Sequence, residues 1–136
     1  MRITIVVLAV LFATSAVQAA KKETPKGTFT LSCDGTRDVD NFGADFHTSS
    51  VPINNMGLVI DYAKRFIDTV EFVGYFDEID PASISFQSKG GDKTTGTIDR
   101  ISGAVEVERD IINPDTHKLT QSNSYHLHCK PAKRMF

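Results

Sequence analysis

Cysteine is scarce in this chain: of 136 residues, only Cys33 and Cys129 are cysteines. No cysteine stands directly after the cleavage region near Ala19, which argues against a lipid-anchored form. Neither sign of charge dominates. Fifteen lysines and arginines stand against seventeen aspartates and glutamates, a formal net charge of −2. A balance so near neutral predicts no nucleic-acid partner and no strong pull to anionic lipid. Long hydrophobic runs are missing too. The longest, residues 3–13, is too short for a membrane-spanning helix, which takes about 20 residues. Reaction signatures are equally absent. No serine sits in a Gly-x-Ser-x-Gly setting, no glycine-rich loop has phosphate-binding spacing, and no zinc-ligand spacing occurs. These absences point to a protein that is not an enzyme and needs no cofactor or metal.

What is present begins with a targeting segment. Met1-Arg2 supplies a positive start, residues 3–13 an apolar core, and residues 14–20 a small or weakly polar end. Val17-Gln18-Ala19 places aliphatic or small residues at positions −3 and −1 of a cleavage site. The pattern predicts a helical signal peptide over residues 1–19, cut at Ala19 or Ala20. A single domain over residues 20–136, of about 117 residues, then remains, long enough to bury a core. Its expected place is periplasmic or secreted, with no membrane attachment after cleavage. Export leads to an oxidising compartment, where two cysteines read as one disulfide, Cys33 to Cys129. Ninety-five residues lie between them. Closing so long a loop stabilises by about 4–5 kcal/mol in the chain-entropy model.

Both cysteines end strand-like alternations. Phe29, Leu31 and Cys33 share one face of residues 28–33, and Tyr125, Leu127 and Cys129 share one face of residues 124–129. Ser83-Ile84-Ser85-Phe86 alternates in the same way, and Val105 and Val107 oppose Glu106 and Glu108. Residues 56–76 are ambiguous. Met56, Val59, Ile60, Ala63, Phe66, Ile67, Val70 and Val73 form a helical stripe, but the β-branched and aromatic content favours two strands around Ala63-Lys64-Arg65. A short repeat supports the strands. Ile60-Asp61, Ile98-Asp99 and Ile112-Asn113 each precede four residues and a further strand, and each Asp or Asn stands where it can cap a turn. The expected fold class is all-β, an antiparallel meander of seven or eight strands curling into a closed or half-closed barrel.

Residues 36–55 read as a long polar loop with a short irregular strand near residues 48–53. Val39, Phe42, Phe46 and Val51 stand among its polar residues and make it the candidate binding loop. Its aromatics either plug one end of the barrel or stand exposed as a contact site. His126 and His128 share a strand face at a spacing that suits a metal, but they point away from Leu127 and Cys129 with no third ligand nearby. Asp38-Val39-Asp40-Asn41-Phe42-Gly43 partly matches a calcium loop, without the oxygen ligand at Phe42 or the closing glutamate. Asp77, Glu78 and Asp80 read as a polar turn, and Lys130, Lys133 and Arg134 as a solvated basic tail.

At Cys33-Asp34-Gly35-Thr36, Gly96-Thr97-Ile98-Asp99-Arg100-Ile101-Ser102-Gly103 and the segment from Cys129 to Phe136, the chain resembles a group of small uncharacterised exported proteins of Gram-negative bacteria. That resemblance implies a periplasmic protein and no particular activity. A weaker one is to periplasmic inhibitors of C-type lysozyme, small all-β proteins with an early and a late cysteine. Ser88-Lys89-Gly90 is similar to part of their inhibitory loop. Their tyrosine-bearing Ser-Gly motif is replaced here by Ser102-Gly103-Ala104-Val105-Glu106. Three classes of function follow. The first is an interaction or structural module that uses its loops. The second is a small barrel that holds an apolar ligand among Phe29, Leu31, Phe66, Phe72, Phe86 and Tyr125. The third is an inhibitor of an envelope-attacking enzyme such as lysozyme. The expected partner is therefore a protein or a small apolar ligand.

Overall fold

A computed structural model describes residues 26–132; the predicted signal peptide lies outside the described residues. Eight strands follow one another: β1 (Thr28–Asn41), β2 (His47–Asp61), β3 (Phe66–Thr69), β4 (Val73–Ile79), β5 (Ser83–Gln87), β6 (Lys93–Asp99), β7 (Ala104–Ile112) and β8 (Leu119–Pro131). Each pairs antiparallel with the next, and β8 returns to pair with β1, which closes a barrel. The ambiguous segment is strand, turn, strand, as its residue types favour, because β3 pairs with β2 from Phe66↔Asp61 to Thr69↔Leu58.

The closing seam carries the disulfide. Cys33 and Cys129 are directly opposed in register, their Cα atoms 4.0 Å apart and 96 positions apart in sequence. Around them the inward positions Leu58, Ile60, Ile67, Ile84, Ile98, Val105 and Leu127 form the apolar core. Phe86 lies across its middle. Gly74 and Gly96 face the ring so closely that a Cβ on either would stand 2.4 Å from it. Phe72 stacks on Phe86 at 6.1 Å between ring centroids and meets Tyr125 edge-on at 5.2 Å. The interior is thus filled at mid-height rather than hollow. Phe66, expected inside, points outward, because its neighbour Ile67 takes the buried position; it packs on Tyr75 with ring centroids 5.2 Å apart.

The main departure from expectation is in residues 36–55, which are not a loop. β1 and β2 pair as far as Asn41↔His47, leaving only residues 42–46 as a turn. The pairing tolerates one irregularity, near Asn54 and Asn55, where Asn55 takes a left-handed φ of 54°. Asp77 and Glu78, expected in a turn, belong to β4; the turn is residues 80–82. Strands β1, β2, β7 and β8 are long, and β3 to β6 are short. The long four overhang one mouth, the upper, and residues 47–57 of β2 pair with β1 alone. The lower mouth carries the turns at residues 62–65, 80–82 and 100–103.

The repeated turn grammar has a physical basis. The carboxylate of Asp61 accepts from the Lys64 N–H at 3.0 Å, that of Asp99 from Ile101 and Ser102 at 2.8 and 2.9 Å, and the amide oxygen of Asn113 from Asp115 and Thr116 at 2.9 and 3.0 Å. Four residues past each cap the chain turns left-handed, at Arg65 (54°), Gly103 (79°) and His117 (55°). Only one of the three is glycine, so the other two bear a steric cost of about 1–2 kcal/mol. Arg65→Gly and His117→Gly are each expected to stabilise by about 0.5–1 kcal/mol after the added chain entropy of glycine. Gly103→Ala should destabilise by about 2 kcal/mol or more, since its Cβ would meet the Cys129 carbonyl at 2.3 Å. Thermal unfolding of the three variants checks both signs. Replacing Cys33 and Cys129 together by alanine should cost about 2–5 kcal/mol in denaturant unfolding.

Candidate functional site

The tip of the β1–β2 hairpin presents a pair of exposed aromatic rings at the upper mouth. Phe42 and Phe46 are 44% and 63% exposed and lie against each other, ring centroids 5.7 Å apart. The turn that presents them is well held. The Phe42 N–H donates to the Thr120 carbonyl at 2.9 Å, which extends the seam one step beyond the barrel. The Thr48 hydroxyl donates to Asp40 at 2.7 Å. The Asn41 amide reaches His47 Nε2 at 3.1 Å, while His47 Nδ1 lies 3.1 Å from the Asp45 carbonyl. A neutral ring protonated at Nδ1 satisfies both contacts. The hairpin is also one-sided in charge. From Asp38 to Asp61 there are four aspartates and no lysine, arginine or glutamate.

The four candidate loop residues therefore divide. Phe42 and Phe46 stand at the tip. Val39 is 7% exposed and faces inward with Arg37, and Val51, half-buried, pairs with Arg37 in register. Strand alternation, not loop packing, sends these valines inward.

Beneath the hairpin the inward positions turn polar. Arg37 Nη1 donates to Glu71 Oε2 at 2.8 Å, and the Tyr125 hydroxyl lies 3.4 Å from the same oxygen. Arg109 donates to the Glu71 carbonyl at 2.5 Å and to Asp92 at 2.7 Å. The two arginines thus tie the β3–β4 and β5–β6 turns to the long side of the barrel. Thr69 shapes the first of those turns, its hydroxyl accepting from the Glu71 and Phe72 N–H groups. Burial, reinforced by the Glu71 charge, raises the Tyr125 pKa above the ordinary phenol value against the opposing pull of Arg37 and Arg109, so its hydroxyl stays protonated. Burial alone would lower the Arg109 pKa, but the hydrogen bond and charge of Asp92 override it and raise the pKa. A cleft of about 300 Å³ lies beside this group, reaching Ser88, Gly90, Thr94 and Val70. With each arginine matched to a carboxylate, the group acts as a latch more than as a receptor for an anion.

The remaining candidates are dispersed. His126 and His128 are exposed on the outer face of β8; His126 bonds Glu106 at 2.5 Å and lies 3.7 Å from Asp38. Among the described residues, no group of three His, Cys, Asp or Glu side chains is arranged to hold a metal. Asp38 and Asp40 sit on strand β1, not in a cation-binding loop. Lys130, exposed, reaches Asp34 at 3.8 Å. Ser88-Lys89-Gly90 lies at the upper mouth, where Lys89 covers the Tyr75 ring at 4.3 Å, and Ser102-Gly103 lies at the lower mouth. The two segments that carry the weaker resemblance do not share a surface. The acids of the polar latch are hidden in the sequence, while Tyr125 shares the apolar face of residues 124–129 and Arg109 continues the inward set of Val105 and Val107. Arg37 continues that of Phe29, Leu31 and Cys33 in the same way, and only this parity could have revealed it.

Glu71→Ala removes the shared acceptor and leaves Arg37, about a quarter exposed, without its ion partner. A loss of about 1–3 kcal/mol is expected, and Glu71→Gln should lose less because an amide oxygen still accepts; chemical denaturation of the two variants compares them. Compared with protein-family models, with curated proteins and with solved structures, the chain matches none.

Proposed function

We propose that this protein is an exported, non-enzymatic interaction module that docks a protein partner through the tip of its β1–β2 hairpin. One observation carries the reading: two phenylalanine rings in mutual contact stand exposed on a turn hydrogen-bonded to its own strands and to Thr120. Aromatic side chains fixed before contact are the usual anchors of protein interfaces, because little entropy remains to be lost on binding. The aspartates around them, with no lysine or arginine between Asp38 and Asp61, suit a partner surface that is apolar at its centre and basic around it. The disulfide across the seam is in keeping with an oxidising compartment such as the periplasm or the outside of the cell.

The double variant Phe42→Ser/Phe46→Ser tests this. A photo-crosslinking residue at position 45 of the native protein should give one adduct with a basic-surfaced partner, weakened by salt. The double variant should give none while its melting temperature stays within about 2 °C of the parent, as surface substitutions do. Persistence of the adduct, or a large fall in melting temperature, would refute the reading; the second outcome would place both rings in the core.

A further inference from the structure

The lower mouth, at the far end of the barrel from the aromatic tip, is an open apolar cup of about 630 Å³. Pockets for small molecules span about 300–1,000 Å³ and are mainly apolar with a few polar groups, and this one meets both criteria. Ile84 and Ile98, both buried, make its floor, and Phe29, Leu31, Ile60 and Tyr62 its walls. Phe29 is set edge-on against Tyr62 with ring centroids 5.5 Å apart, and Tyr62 in turn packs on Phe76 at 5.8 Å. Two rim residues are costly to leave in water: Phe29 is 48% exposed, and Ile101, at the tip of the β6–β7 turn, is 83% exposed. That turn is held firmly beside the cup, since the Cys129 N–H donates to the Gly103 carbonyl at 2.8 Å. Ile101 is thus presented rather than merely unburied.

The polar part of the rim is weighted toward positive charge. Arg100 and Lys130 line it together with one carboxylate, Asp99, and the His128 imidazole borders it from the outer face of β8. The Asp99 carboxylate is engaged by the Ile101 and Ser102 N–H groups of its own turn. Arg100 is steadied by donating from Nη1 to the Asp80 carbonyl at 2.7 Å, and a guanidinium has further N–H groups to offer. Lys130 has only a loose 3.8 Å contact with Asp34.

We infer that this cup binds a linear apolar chain carrying an anionic head, of which a fatty-acid carboxylate is the simplest member. The tail lies on Ile84 and Ile98 beneath Phe29 and Ile101, and the head meets Arg100 and Lys130. The site is independent of the hairpin tip: it lies at the opposite end of the barrel and uses neither Phe42 nor Phe46.

Titrating the purified protein with octanoate, decanoate and dodecanoate below their micelle thresholds, followed by calorimetry and amide chemical shifts, tests the assignment. The dissociation constant should fall by up to about fourfold per added methylene, the value of one buried CH₂. Shifts should gather at the lower mouth. Ile101→Asp, at an exposed position, should weaken dodecanoate about tenfold or more without changing the melting temperature. Lys130→Glu should weaken dodecanoate but not dodecanol. Affinity independent of chain length, shifts gathered at the upper mouth, or equal binding of dodecyltrimethylammonium would overturn the inference. Two other occupants would overturn it as well. A protein lacking residues 133–136 that bound dodecanoate tenfold more tightly would show the tail to be the occupant, and a dimer dispersed by Ile101→Asp would show a second copy in its place.

Discussion

The pairing of the first strand with the last is the constraint on which this structure depends. Eleven residue pairs, from Leu31↔Pro131 to Asn41↔Gln121, join chain segments that lie about as far apart as the domain allows. Bringing them together costs the loop-closure entropy of nearly the whole domain, and no local interaction repays that cost in advance. The Cys33–Cys129 bond moves much of the cost into the unfolded state, where the two strands can no longer separate. Register is the second service of the seam. A slip by one residue would turn every side chain of β1 to the opposite face, placing Asp34, Asp38 and Asp40 inside and Cys33 and Val39 outside.

With the seam in place, the interior divides by height. Below, isoleucines, leucines and the disulfide give an apolar half that ends in an open cup. Above, Arg37, Glu71, Arg109, Asp92 and Tyr125 give a polar half that ties short turns to long strands. Phe86 separates the two, and the barrel narrows to admit it only because residues 74 and 96 have no side chain. A continuous calyx is therefore not built here. Each mouth is a surface of its own, aromatic and acidic above, aliphatic and basic-rimmed below.

Much of this was legible from alternation alone. Phe29-Leu31-Cys33, Ile84-Phe86, Val105-Val107 and Tyr125-Leu127-Cys129 all face inward as their spacing requires, and the Asp and Asn turn caps at positions 61, 99 and 113 act as their side-chain chemistry suggests. The upper halves of β1 and β2 were not legible, for a physical reason. Alternation announces a strand only when one face meets an apolar core. There the inward face mixes Val39 and Val51 with Gly35, Arg37 and Asn41 and meets the polar latch, so its alternation is broken, while the outward face carries aspartate, serine and threonine. Polar residues on both faces look like loop. The same cause hid Glu71, an acid in the short turn between β3 and β4, whose importance rests on an arginine 34 positions earlier. At the candidate site, the aromatics of the tip could be read directly, but which of their apolar neighbours turned inward waited on the strand assignment.

The overhang of β2 has one further consequence. Over residues 47–57 its backbone is paired on one side only, among the described residues, so a strip of amide and carbonyl groups is open to any extended chain that drifts alongside. Two features blunt it. Pro52 brings no N–H to that strip, and the left-handed Asn55 bends the backbone where a straight partner would need it flat. The exposed Thr48, Ser49 and Ser50 ahead of Pro52 offer little greasy contact. Without the proline and the bulge, this edge would be the natural starting point for strand-by-strand polymerisation, and the imperfect ladder works against it.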